Sequence, residues 1–276
     1  MYQMPVQFGP CCGPRRGPDG TRFLQDGPQR SIQHALVYET RPEALERVLP
    51  EGFSVRWPYV IFTHKMHRDL PWLAGRGYNV VTFHVPVTYT GTRETVCGQF
   101  LLAIWENHAD PILSGREQLG YAKIFAEIED IRTHRGVSRA ALSSWGFRFL
   151  EVAFDEGTPP EDEVLLSDLL ADRESAGSLH YKYFPRTGDG FSKADVSYVT
   201  LTPREFPLPP GVAPPPAAAR RLCGGALAWH VPRWEDMPTQ FHIVQGLAAL
   251  PVVRIVGASA LELLHYNDVF HQRIVE

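Results

Sequence analysis

Short β-type runs separated by glycine and proline are the feature of this sequence that most restricts its fold. Four such runs occupy residues 32–38, 54–65, 80–89 and 100–105, and glycine or proline stands in every gap between them. This pattern is typical of antiparallel strands joined by turns, and it argues against parallel strands alternating with helices. The glycine motifs that bind nucleotide phosphates (GxGxxG and GxxxxGK[ST]) are absent, so the sequence predicts no nucleotide site.

The rest of the chain continues this pattern within one domain, 1–276. Further strands are predicted at 140–154, 179–185, 196–202, 224–231 and 252–256. Short helices are predicted at 42–49 with Thr40 as N-cap, within 155–175, at 241–250 and, at least in part, at 259–275. Residues 1–30 are expected to form a Gly/Pro-rich arm, and residues 203–219 a Pro-rich loop rather than a domain boundary.

Composition and charge exclude several classes of function. The net charge of -4 does not support nucleic-acid binding, which needs a basic face. No run of about 18 apolar residues is present, and the N-terminus lacks the features of a signal peptide. The four cysteines are too few for a disulfide scaffold. We therefore expect a cytoplasmic protein that acts on a small molecule.

Familiar catalytic and metal-binding motifs are also missing. His64 and His67 lack the glutamate of an HExxH metal site, and no Gly-x-Ser-x-Gly motif of a serine hydrolase occurs. Cys97 is more typical of a small buried apolar residue than of a nucleophile. No metal and no other cofactor is predicted.

One lysine stands out among the basic residues. The chain has 27 Lys+Arg, of which only Lys65, Lys123, Lys182 and Lys193 are lysines, and Lys123 has apolar neighbours on both sides. Burial disfavours the charged form of a lysine and lowers its pKa, and a neutral amine is a nucleophile. The alternative is a lysine whose stem packs on the core while its ammonium reaches water.

Two short segments around Lys123 carry a resemblance to the acetoacetate decarboxylase superfamily. Gly115-Arg116-Glu117 and Tyr121-Ala122-Lys123 have the spacing of the family's Gly-Arg-Glu and Tyr-Pro-Lys-Lys, whose first lysine forms a Schiff base. The similarity extends over most of the chain from about residue 30, through Val37-Tyr38-Glu39-Thr40, Val85-Pro86-Val87, Trp145-Gly146-Phe147 and Leu250-Pro251-Val252.

The resemblance implies both a fold and a chemistry. The fold is mainly β (α+β), an antiparallel cone-like β-barrel with an outer sheet and a few short helices, and it assembles as homo-oligomers. The chemistry is imine formation between the lysine and a ketone, which provides an electron sink. In acetoacetate decarboxylase the reactive lysine is activated by a neighbouring cationic group. The resemblance implies that this group is the second lysine of the Tyr-Pro-Lys-Lys segment.

This chain departs from the family pattern at several positions. Ile124 replaces the second lysine and Ala122 the proline. The two active-site glutamates of the decarboxylases fall at Thr63 and Val80, neither of which can act as a carboxylate. A simple decarboxylation therefore lacks two of its expected groups, whereas other branches of the superfamily keep the lysine for aldol, dehydration or cyclisation chemistry.

The sequence thus predicts a Schiff-base lyase that acts on a small oxo acid. Lys123 is the candidate for the imine, and Tyr121 and Tyr266 are candidates for moving protons. Arg116, Gln118 and Arg30 are candidates for binding substrate, although Arg116 is equally suited to a structural ion pair and Arg30 lies one residue out of register. Two alternatives stay open, namely a decarboxylase of an unusual β-oxo acid and a binding protein without catalysis.

Overall fold

A computed structural model of the chain describes residues 4, 16–20, 29–157, 172, 174–188, 193–205, 217–265 and 271–276. In this part of the chain the strands are β1 (Gln29–Glu39), β2 (Phe53–Val55), β3 (Tyr59–Leu70), β4 (Arg76–Thr90), β5 (Thr95–Glu106), β6 (Lys123–Phe125), β7 (Glu127–Ile128), β8 (Arg132–His134), β9 (Val137–Ser144), β10 (Phe147–Asp155), β11 (Gly177–Pro185), β12 (Ala194–Pro203), β13 (Ala217–Leu222), β14 (Gly224–Trp229), β15 (Arg254–His265) and β16 (Arg273–Val275). The helices are α1 (Pro42–Glu46), α2 (Ala109–Ser114) and α3 (Phe241–Ala248), with a 3-10 turn at Pro71–Leu73 and a π-helical turn at Gly115–Leu119.

The strands form two sheets. The larger sheet has 11 strands in the order β13-β15-β1-β3-β4-β5-β11-β12-β16, with β2 paired to β4 and β6 paired to β5. The smaller sheet has five strands in the order β14-β10-β9-β7, with β8 on β9. All pairings are antiparallel except those of β5 with β6 and with β11. The predicted mainly β, antiparallel fold with an outer sheet and a few short helices is confirmed.

The period-two alternation of the strands separates two environments. On β3, Val60 and Phe62 are fully buried in the hydrophobic core. Phe62 contacts Phe83 of β4, with ring centroids 5.1 Å apart, and it also packs towards Phe154 of the smaller sheet. The intervening side chains of β3 point to the opposite face, as the pleat of a strand requires. The core therefore lies between the two sheets, and the other face of the larger sheet is left for a cavity.

The larger sheet curves around that cavity. Side chains from β1, β3, β4, β5, β6, β11, β12, β13 and β15 all line the same space, so the strands nearly encircle it. Within the described residues the hydrogen-bonded path runs from β13 to β16 and does not close on itself. No described helix is long and apolar enough to cross a membrane.

Two local predictions differ from the structure. In the segment 259–275, predicted to be helical at least in part, residues 259–265 belong to β15 and residues 273–275 to β16, while His271 lies in a 3-10 turn and residues 266–270 lie outside the described residues. Strand pairing on both sides of β15, with β1 and with β13, outweighs the helix preference of its alanine and leucine residues. Thr40 is not the cap of α1, because the N-cap is Arg41 and the buried hydroxyl of Thr40 has no hydrogen-bond partner in the described structure.

Other predictions lie outside the described residues. Most of the Gly/Pro-rich arm (1–30), most of the helical prediction within 155–175, and residues 206–216 of the Pro-rich loop are among them. The run predicted over 54–65 is interrupted at Pro58, which lies between β2 and β3. The strand predicted over 140–154 is a hairpin of β9 and β10, which turns at Trp145 and Gly146, both with positive φ.

Candidate active site

A cavity of about 820 Å³ lies against the concave face of the larger sheet. Alternate residues of β3 and β4 form its floor, and the segment between α2 and β6 forms one wall. The volume is in the range of small-molecule sites, which measure about 300–1,000 Å³. The residues that line this cavity include Thr63, Lys65, His67, Val80, His84, Glu106, Gly115, Tyr121, Lys123, His180, Thr202, His265 and Gln272.

The segment that carries Lys123 is closed on itself by hydrogen bonds. The backbone N–H of Tyr121 donates to the carbonyl of Gly115 at 3.0 Å, and that of Lys123 donates to the carbonyl of Tyr121 at 2.8 Å. The guanidinium of Arg116 donates to the carbonyl of Lys123 at 2.9 Å. The segment ends in β6, which pairs with β5 and places Lys123 beside Ile104. Lys123 is thus held by its own loop and by the main sheet.

Gly115 leaves room for the lysine side chain. A Cβ atom at this position would lie 2.4 Å from Cε and 2.7 Å from Nζ of Lys123, which is closer than real Cβ contacts. The backbone of Gly115 is in the ordinary right-handed helical region, so the backbone conformation itself does not call for glycine. The first residue of the Gly-Arg-Glu segment is therefore glycine because the lysine lies directly against it.

The amine of Lys123 is buried beside a carboxylate. Its Nζ lies 2.8 Å from Oε1 of Glu106, and the side chains of the two residues are 8% and 2% exposed. Nζ also donates to the carbonyl of Pro111 at 3.0 Å, and it lies 5.2 Å from the ring centroid of Tyr121. The sequence predicted burial among apolar neighbours, whereas the structure adds a buried acid as the nearest partner. A proton can pass between amine and carboxylate across this single contact.

Sequence reasoning missed Glu106. This residue ends β5, directly after the apolar run at 100–105, and it pairs across the sheet with Val80. The sequence signal that could have indicated Glu106 is its position as an acidic residue at the end of an apolar strand. It also stands shortly before Asp110-Pro111, which precede the segment that carries Lys123. One carboxylate therefore lies in the cavity, although Thr63 and Val80 are not acidic. Thr63 instead shares a hydrogen bond of 2.6 Å with Thr82.

Tyr121 belongs to a polar cluster on the same wall. Its hydroxyl lies 2.7 Å from Oγ1 of Thr202 and accepts from Nε2 of Gln272 at 2.9 Å. Its ring stacks on that of His180, with centroids 3.9 Å apart. Burial raises the pKa of Tyr121 to about 12, so the hydroxyl keeps its proton at neutral pH. Burial also holds the pKa of His180 well below its usual range, so its ring is neutral.

The remaining candidate residues lie elsewhere. The side chain of Arg116 is directed at the backbone of Lys123 and does not line the cavity. Gln118 borders a smaller neighbouring cavity of about 190 Å³, where its buried Oε1 has no partner among the described residues. Arg30 is exposed and binds Glu262 at 2.8 Å. Tyr266 lies outside the described residues. The roles predicted for these four residues stay predictions.

A second lysine reaches the cavity from β3. Lys65 lines the cavity, and burial lowers its pKa. Three histidines near it, His67, His84 and His265, also line the cavity. Ser31 joins two of them, with Oγ 2.8 Å from Nδ1 of His67 and 2.8 Å from Nε2 of His265. No group of three or more His, Cys, Asp and Glu residues in the described ranges is arranged to hold a metal ion.

Comparison with known proteins identifies the family. A family model described as acetoacetate decarboxylase (ADC) matches residues 4–274. An acetoacetate decarboxylase of Bordetella avium (strain 197N) is 31% identical over 139 residues, which are 46% of this chain and 53% of that protein. The alignment thus spans about half the length of that relative.

Solved structures agree with this fold. The acetoacetate decarboxylase of Legionella pneumophila is 18% identical, with a TM-score of 0.63 and coverage of 96% of this chain and 94% of that one. The enduracididine biosynthesis enzyme MppR is 15% identical, with a TM-score of 0.60 and coverage of 100% and 98%. MppR has also been solved in complex with pyruvate. Because the family model matches nearly the whole sequence, this chain belongs to the acetoacetate decarboxylase family.

Proposed function

We propose that this protein is a Schiff-base lyase that acts on a small oxo acid through an imine on Lys123. The observation that carries the proposal is the buried contact of 2.8 Å between Lys123 and Glu106 on the wall of a ligand-sized cavity. In acetoacetate decarboxylase a second cationic group activates the lysine. Glu106 acts differently in this proposal, as a base that accepts the proton of the Lys123 ammonium.

The proton transfers can all run through Glu106. The ammonium of Lys123 gives a proton to the carboxylate of Glu106, and the neutral amine attacks the substrate carbonyl carbon. After proton transfer from nitrogen to oxygen within the adduct, Glu106 returns its proton to the hydroxyl group, which leaves as water and gives the protonated imine. The pair of residues therefore supplies both the nucleophile and the acid for the loss of water.

The same carboxylate can then act as a base. Glu106 removes a proton from the carbon next to the imine, and the electron pair of that C–H bond forms an enamine. The enamine carbon attacks an aldehyde, and the protonated Glu106 supplies the proton that the resulting alkoxide takes up. The neutral hydroxyl of Tyr121 is a further donor on the same wall. Hydrolysis of the imine releases the product and restores the amine.

Two observations favour carbon–carbon bond formation or dehydration over simple decarboxylation. Thr63 and Val80, where the decarboxylases are expected to have glutamates, line the cavity without carboxylates. In addition, the structurally similar MppR has been solved with pyruvate and with the condensation product of pyruvate and imidazole 4-carboxaldehyde. Decarboxylation of a β-oxo acid stays the alternative, since the Bordetella relative is an acetoacetate decarboxylase and Glu106 places a carboxylate next to the imine.

Reductive trapping tests the proposal. The protein is incubated separately with pyruvate and with acetoacetate, cyanoborohydride is added, and the modified peptide is identified by mass spectrometry. We expect an adduct on Lys123, none in Lys123→Arg, and a rate at least about 100-fold lower in Glu106→Gln, because positioned acid–base groups contribute about 10²–10⁴-fold. Lys182→Arg is the matched control, since Lys182 lies outside the cavity and donates to the carbonyl of Gln118.

The outcomes separate the three functions. An adduct with pyruvate on Lys123 supports the lyase. Release of CO₂ from acetoacetate, with only the acetoacetate or acetone adduct trapped, supports the decarboxylase. If no oxo acid labels Lys123 while Lys123→Arg binds these acids as tightly as the wild type, the protein is a binding protein without imine chemistry.

A further inference from the structure

The cavity contains a positive charge that the proposed chemistry does not use. Lys65 of β3 pairs across the sheet with Val80 of β4, which in turn pairs with Glu106 of β5. All three side chains line the cavity. Lys65 forms no ion pair with any described carboxylate, and burial is the only cause that lowers its pKa. Lys123, in contrast, has Glu106 as its partner.

The histidines around Lys65 do not share its charge. Burial, followed by the positive charge of Lys65, lowers the pKa of His84 and of His265 to about 4. The same two causes come first in holding the pKa of His67 well below its usual range. All three rings are therefore neutral at neutral pH, and Lys65 is the member of this group that can carry a positive charge.

The arginines on the cavity wall differ from Lys65 in having partners. Arg220 forms an ion pair with Glu156, and Arg204 donates to the carbonyl of Asp172. A charge that is shielded from water and unpaired is destabilising, and a counter-charge relieves that penalty. Lys65 is therefore placed to gain the most from an anionic group brought in by a ligand.

We propose that Lys65 binds a second carboxylate of the substrate, remote from the reacting carbonyl, so that the enzyme takes oxo diacids. This inference rests on the proposed function, in which the carbonyl reacts with Lys123. Lys65 lies apart from the Lys123–Glu106 pair, since β3 and β5, which carries Glu106, are two strands apart, or about 10 Å. A cavity of about 820 Å³ has room for such a substrate.

A matched pair of ligands tests this inference. 2-Oxoglutarate and 2-oxopentanoate have the same carbon chain and differ in the second carboxylate. We expect the wild type to bind the diacid about 10- to 100-fold more tightly by calorimetry, the range of a hydrogen bond between charged groups. Lys65→Met should lose this preference without change in its affinity for the monoacid, and Lys65→Arg should retain part of it.

Control variants and a second readout keep the outcomes distinct. Lys193→Met removes a lysine charge at an exposed position and should behave as the wild type. The midpoint of thermal unfolding of ligand-free Lys65→Met should not fall, because the variant removes a charge that has no ion-pair partner among the described residues. The inference would be overturned if the wild type bound the diacid and the monoacid equally well. It would also be overturned if Lys65→Met lost equal affinity for both ligands, or if reductive trapping gave an adduct on Lys65 itself. If the diacid binds through Lys65 yet leaves no adduct on Lys123, the carboxylate site stands and the proposed imine chemistry fails.

Discussion

The substitution Gly115→Ala tests the placement of the reactive lysine. The added methyl group would lie 2.4 Å from Cε of Lys123, so the lysine side chain must move. That movement removes the contact with Glu106 at 2.8 Å and the hydrogen bond to the carbonyl of Pro111 at 3.0 Å. The backbone at Gly115 accepts alanine without strain, since its φ is -66°. The effect therefore arises from the collision with Lys123.

The magnitude follows from the two lost contacts. Hydrogen bonds to charged groups contribute about 1.5–3 kcal/mol each, so the loss of two should lower the free energy of unfolding by about 3–6 kcal/mol. For a chain of this size the midpoint of thermal unfolding should fall on the order of 10 °C. Displacement of a reacting group by about 1 Å lowers rates about 100-fold, and we expect that loss in the rate of imine trapping on Lys123.

The assay compares two glycine-to-alanine variants by calorimetry and by reductive trapping. Gly246→Ala is the control, because Gly246 lies in α3 and an added Cβ would meet no atom within 4 Å. This control should keep wild-type trapping and gain up to about 1 kcal/mol of stability from the better helix former. If Gly115→Ala traps the oxo acid as fast as the wild type, the lysine does not react from the position against Gly115.

Two further predictions concern protonation. His64 is fully buried and its Nε2 donates to the carbonyl of Glu129, and burial lowers its pKa to about 4 from the ordinary 6.5. As the pH falls from 6.5 to 4, the unfolded chain therefore binds the proton before the folded chain does. The contribution of neutral His64 to the free energy of unfolding, about 3 kcal/mol, is thus present above pH 6.5 and is lost towards pH 4. Urea unfolding across this pH range should show that the free energy of unfolding falls less steeply with decreasing pH in His64→Gln than in the wild type. His134→Gln, at an exposed position, is the control and should behave as the wild type. Equal pH dependence in His64→Gln and the wild type would contradict the lowered pKa of His64. Tyr121→Phe removes the hydroxyl that bonds Thr202 and Gln272. Because this hydroxyl keeps its proton and acts as a donor, we expect the adduct on Lys123 and the exchange of the pyruvate methyl protons with deuterated water to persist, while condensation with an aldehyde, followed by NMR, slows about 10- to 100-fold. An unchanged condensation rate would exclude Tyr121 from proton donation.

Much of the fold could be predicted because its signals are local. Glycine and proline between short apolar runs indicated antiparallel strands, and the strand-to-core alternation of β3 follows from its own sequence. The strand over 259–265, which was predicted to be helical at least in part, was missed for the opposite reason. Residues 259–265 have helix-forming side chains, and only their pairing with β1 and β13, distant in sequence, makes them a strand.

The candidate site was predictable only in part. Lys123 was identified from its neighbours and its spacing to Gly115, which lies against it in the folded chain. Glu106 and Lys65 come from other strands, and only the sheet register brings the three residues to one cavity. A glutamate at a strand end or a lysine within a strand can have many structural roles. Their place in the candidate site could therefore not be predicted before the strand register was known.

The hydrogen bonds that close the segment from Gly115 to Lys123 have a consequence for how substrate range can change. Lys123 is held by its own loop, whereas alternate residues on β3 and β4 form the floor of the cavity. Each of those side chains points away from the core, so its replacement leaves the packing between the sheets intact. The proposed imine chemistry and the choice of oxo acid would thereby be carried by separable parts of the chain. Under the proposed function, we expect substitutions at Thr63 or Lys65 to change which oxo acids are accepted while Lys123 stays in place.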